Sequence, residues 1–148
     1  MLEPVLTRLA YLCDFIPGHL ATIGEAEFAH RPAPDKWSKK EIIGHLLDSA
    51  TNNHHRLVRA QFEDTPTITY DQIKWNSHGF YQQLATPQLI AFWAAYNRQL
   101  LALARHIPLA NLQRCCYMGG VMPVSLADLL TDYVAHLEHH LRQVVTYA

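Results

Sequence analysis

The chain has 148 residues, 49% of them apolar and 17% charged, with 12 Lys or Arg against 13 Asp or Glu and a formal net charge of −1. That balance excludes a disordered chain and suits one folded domain over residues 1–148, large enough to bury a core without a disulfide or metal staple. The interspersed charges exclude a basic footprint for nucleic acid or anionic lipid, and no apolar run approaches the ~18 residues of a membrane span, so a small molecule is the expected partner.

Residues 2–16 place Leu2, Val5, Leu6, Leu9, Leu12 and Ile16 at helical spacing, and Pro17-Gly18 is expected to interrupt this first helix, which resumes toward Ile23. Glu3, Arg8 and Asp14 break the pattern of a signal peptide. The proline-rich stretch RPAPDKW reads as a loop leading to a helix start. Ser38 with Glu41 forms a capping box, Trp37 and Ile42 stand where a hydrophobic staple closes, and a second helix is expected from about Lys39 to about Gln61.

Residues 62–85 mix turn formers with aromatics, so they read as a long connection with a short helical piece near Asp71 to Trp75. Thr86-Pro87 reads as a cap followed by proline at the first helical position, opening a third helix over about 87–106. Gly119-Gly120 marks an extended loop or short hairpin after Pro108. Ser125 with Asp128 then opens a fourth helix to about Thr146. Long helices with few strand signals predict an all-α, four-helix bundle with a long connection between helices 2 and 3, a fold that builds metal sites from facing helices.

Three cysteines, Cys13, Cys115 and Cys116, make an odd count without CxxC spacing, which suits reduced thiols and a cytoplasmic location. Ten histidines are the composition's anomaly. In HLEHH, at ~100° per residue, His140 falls within the apolar face of the fourth helix, His136 on its border and His139 opposite, toward solvent. His136 and His140, four apart, stack on one side and can grip one ion together, although such pairs also occur in plain surface or core packing. A third ligand has to come from helix 2, where His45, His54 and His55 all stand. His54 lies nearer the apolar centre, while His45 shares a seam with Ser49, Asn52 and Arg56 that suits a polar pocket wall. HLEHH is not the HExxH of metalloproteases, and Glu41 and Glu138 alone do not supply a carboxylate-bridged di-iron site.

WSKKEIIGHLLDSA at 37–50, YDQIKWN at 70–76, AFWAAYNRQL at 91–100 and DYVAHLEHHLRQV at 132–144 together resemble the DinB/YfiT-like family of bacterial metalloenzymes, over nearly the whole chain. The resemblance implies a four-helix bundle, often a homodimer, holding a divalent metal, commonly zinc or nickel, on three histidines that match His45, His136 and His140. Three imidazoles leave open coordination positions, as catalytic sites do. A hydrolase or a transferase of low-molecular-weight thiols acting on a small molecule is therefore expected, with a non-catalytic metal-binding or dimerisation bundle as the alternative. Asp48, Ser49, Asn52, Arg56 and Tyr133 are the expected pocket residues. No catalytic residue beyond the metal ligands is singled out.

Overall fold

The computed structural model describes residues 2–148. Among the described residues are six helices: α1 (Glu3–Ala21), α2 (Glu25–Phe28), α3 (Lys39–Arg59), α4 (Gln72–Gly79), α5 (Thr86–His106) and α6 (Leu126–Leu141). The four long ones form the bundle. α1 packs on α5 and α6, and α3 packs on the same two from the other side, so the four close a ring around one apolar core that includes Leu12, Ile16, Leu46, Trp93, Leu100, Leu130 and Leu137.

Local chemistry explains three of the helix starts. Ser38 accepts the Glu41 N–H, and the Glu41 carboxylate accepts the Ser38 N–H, so the capping box at the head of α3 is formed in full. Asp71 accepts from the N–H groups of Ile73 and Lys74 to start α4, and Ser125 accepts from Asp128 to start α6.

Three boundaries depart from expectation. α1 runs unbroken through Pro17 to Ala21. Proline removes the N–H that would bond the carbonyl four residues back. Here Arg98 of α5 donates to that Cys13 carbonyl at 3.2 Å, so the orphaned acceptor has a tertiary partner. Thr86 does not cap α5 but lies within its first turn, donating its hydroxyl to Glu25, while Ala85 occupies the cap position. α6 ends at Leu141 rather than near Thr146, because its last carbonyls are closed by the N–H groups of Arg142, Gln143 and Val144 in a tightening turn. The short α2 was not foreseen at all.

The loop after α5 does hold a short hairpin: β1 (Cys115–Cys116) pairs antiparallel with β2 (Val124–Ser125). Tyr117 extends it sideways, its N–H bonding Pro66 O and its carbonyl accepting from Ile68 N–H, both at 2.9 Å. Arg114 Nε adds a bond to Ala60 O at the end of α3. The connection between α3 and α4 and the hairpin before α6 are thereby tied together.

Candidate metal centre

α3 is the most enclosed helix, covered by α2, α4, the 3₁₀ turn Tyr81–Gln83, α5 and α6. Every residue from Lys40 to Ala50 is buried, polar ones included. Its polar seam therefore faces protein rather than water, and each member needs a partner inside the fold.

His45, on that seam, is 1% exposed. Opposite it α6 presents His136 and His140, both half-buried, while His139 is exposed. The His45 and His136 Nε2 atoms stand 3.2 Å apart. One ring nitrogen from each of the three histidines lies within 4.8 Å of the others. His54 turns elsewhere, its Nδ1 meeting the Tyr96 hydroxyl of α5 at 3.0 Å, and His55 is exposed.

Burial pushes His45 down to about 3, with the neighbouring His136 and His140 adding to the effect, and pushes His136 down to about 4. His140 is lowered as well, mainly by burial. The cluster is therefore three neutral imidazoles, the form that offers a lone pair to a metal. Nitrogens bound at the usual distance to a tetrahedral ion lie ~3.4 Å apart, close to the His45–His136 spacing. The donor set thus fits a divalent ion, all three nitrogens lying within 4.8 Å of one another. The His140 Nδ1 meets Gln143 Oε1 at 3.0 Å, a contact that favours the tautomer with its proton on Nδ1 and its lone pair on Nε2. His45 packs against Trp37, ring centroids 4.9 Å apart, and its Nδ1 is buried with no hydrogen-bond partner among the described residues.

A cavity of about 190 Å³ opens beside His136. Ser49, Arg56 and Tyr133 line it, joined by Asn53, Tyr70 and Asp132, which sequence reasoning did not single out. Tyr70 and Met118 come from the connection after α3 and from the hairpin loop, segments whose meeting leaves no local signal. Asp132 and Asn53 had one available: they precede His136 and follow Ser49 by four, so they share a helix face with them.

Asp48 and Asn52 do not line this cavity. The Asn52 amide donates to the Asp48 carbonyl one turn back. The Asp48 carboxylate accepts from the Tyr81 hydroxyl, and its second oxygen is buried without a partner among the described residues. Burial raises this carboxyl to about 6 against the opposing pull of the Tyr81 bond. Tyr81 reaches it by lying flat against two glycines: a Cβ added at Gly44 would sit 2.1 Å from the ring, and one at Gly79 2.6 Å. Tyr133 sends its hydroxyl proton to Asn97 Oδ1 at 2.6 Å.

The fold and the cluster define a helical bundle that converges imidazoles from two facing helices on one point. The sequence profile of the DinB superfamily matches residues 16–144, and the chain belongs to that superfamily. Among relatives, "Putative metal-dependent hydrolase BH0277" of Halalkalibacterium halodurans is 25% identical over 126 residues, spanning 83% of this chain and 72% of the relative. The Bacillus subtilis protein YfiT, which carries the same form of name, is 24% identical over 110 residues, 73% of this chain and 62% of its own.

The solved structure of YfiT, described as "a probable metal-dependent hydrolase with an unusual four-helix bundle topology", superposes with a TM-score of 0.86 at 19% identity, covering 96% of this chain and 82% of that one. A mycothiol-dependent maleylpyruvate isomerase matches with a TM-score of 0.81 at 14% identity, covering all of this chain but 62% of the isomerase. At these identities the structural likeness defines the fold.

Proposed function

We propose that this chain is a metal-dependent enzyme in which His45, His136 and His140 hold one divalent ion, zinc or nickel, and the adjoining cavity receives a small substrate. The observation that carries the reading is the convergence of three neutral imidazoles from two helices, one buried and two half-buried. A divalent ion there would supply Lewis acidity and lower the pKa of a water or thiol at its open position. Hydrolysis is the first reaction class, supported by the names of the sequence relatives.

The protein's own share is to keep the three rings neutral, to orient His140 through Gln143 and to shape the cavity wall with Ser49, Arg56 and Tyr133. Transfer of a low-molecular-weight thiol is the second class, supported by the mycothiol-dependent isomerase among proteins of the same fold.

Elemental analysis of the purified chain, followed by ester, amide and thiol-acceptor panels before and after chelation, tests both. About one ion per chain and chelator-sensitive turnover are expected. Stoichiometric metal without any chelator-sensitive turnover would move the site to a structural role.

A further inference from the structure

Arg56 is 7% exposed, on α3. Its Nε and Nη2 donate to the Ile68 carbonyl at 3.1 and 2.9 Å, and its Nη1 donates to Asn53 Oδ1 at 3.2 Å. A guanidinium carries five N–H donors and does not deprotonate, so two donors and a full charge remain after these bonds. No carboxylate among the described residues pairs with it. A buried cation without a counter-ion is costly, and its remaining close neighbour, the Tyr70 ring with its centroid 5.9 Å from the guanidinium carbon, carries no charge to offset it. The same side chain lines the cavity that His136 lines.

We infer that Arg56 seats a carboxylate of the substrate and so holds the rest of the molecule against the three-histidine centre. The inference rests on the reading of that centre as catalytic. Two remaining N–H groups on one guanidinium match the two oxygens of a carboxylate. Asp132, exposed on the same wall, opposes any anion, but a phosphate dianion about twice as strongly as a monocarboxylate. A volume of about 190 Å³ is below that of pockets for drug-sized ligands, so the part of the acid seated beside Arg56 is small. The bonds to Ile68 O give Arg56 a structural duty as well, anchoring the segment after α3, and the test has to separate the two.

The probes are propionate, its neutral isostere propionamide, and inorganic phosphate, titrated into chelator-treated protein so that no anion binds through a metal. Calorimetry reads affinity, and the Arg56 Nη–H resonances, assigned by their loss in Arg56→Lys, read the contact itself, since Nε–H is already held by Ile68 O. Propionate is expected to shift those resonances and to bind about tenfold or more tightly than propionamide, with the preference lost in Arg56→Gln. Should Arg56→Gln fail to fold, the wild-type resonances decide alone.

Equal binding of propionate and propionamide, or no shift at Arg56, would overturn the inference. Phosphate binding tighter than propionate would overturn the carboxylate class. Metal content is measured separately, so a chain that seats propionate yet holds no metal would fail the catalytic reading while keeping the anion seat.

Discussion

His45 and His136, 91 residues apart in the chain, bring their Nε2 atoms to 3.2 Å, with His45 almost wholly enclosed by protein. Two neutral imidazoles at that distance can share at most one hydrogen, and the third ring beside them adds a further ring nitrogen to the cluster.

The three rings are not equivalent to their neighbour. His140→Ala is expected to reduce metal content to background, whereas His139→Ala, altering an exposed ring, retains it; elemental analysis after desalting reads both. Gln143→Ala removes the acceptor that orients His140 and is expected to weaken metal affinity about tenfold, since outer partners of ligating histidines carry that order of effect. Equal loss in His139→Ala and His140→Ala would show that the cluster is not the binding point.

The buried Asp48 carboxyl gives a pH signature. Its folded value of about 6 lies above the ~3.9 of an unfolded chain, so the folded state binds more protons between those limits and stability falls as pH rises through them. Above about pH 6 the full cost of the buried charge is present. Asp48→Asn keeps an acceptor for Tyr81 and removes that cost, so its stability relative to wild type should be about 2 kcal/mol more favourable at pH 8 than at pH 4 in urea denaturation. The same difference at both pH values would mean the carboxyl is not buried as described.

Gly44 is held to glycine by the Tyr81 ring. Gly44→Ala is expected to destabilise by about 1–3 kcal/mol despite the better helix propensity of alanine, because the ring it strikes is pinned by Asp48 and flanked by Gly79. Combined with Tyr81→Ala the Gly44→Ala penalty should vanish, a non-additivity that denaturant midpoints of the four proteins would reveal. An equal penalty in both backgrounds would point to a cause other than the ring.

Pro17 and Arg98 form a second testable couple. Arg98→Ala strips the donor from the Cys13 carbonyl and is expected to cost about 1 kcal/mol in thermal or chemical unfolding. In a Pro17→Ala background the restored N–H bonds that carbonyl, and the cost of Arg98→Ala should largely disappear. Additive effects would show that the helix passes the proline without this help.

Much of the scaffold is written locally. The capping box at Ser38, the cap at Ser125 and the apolar spacing of the four long helices all act within a turn or two, so the sequence by itself determined that α3, α5 and α6 exist and roughly where they start. It also determined that His136 and His140 share a face and that His139 does not, because the helical period alone decides this.

What the periodicity of α3 did not decide was which of His45, His54 and His55 meets that pair. The first three turns of α3 are packed on every side, so they have no solvent face to contrast with a core face, and the polar seam looks like a surface although it is buried. Only tertiary packing turns His45 toward α6 and His54 toward Tyr96 of α5. The passage of α1 through Pro17, the pinning of Tyr81 and the cavity wall from Tyr70 and Met118 have the same origin. A local pattern fixes which residues of one element lie side by side; which elements then face one another is set by long-range contacts whose partners are far apart in the chain.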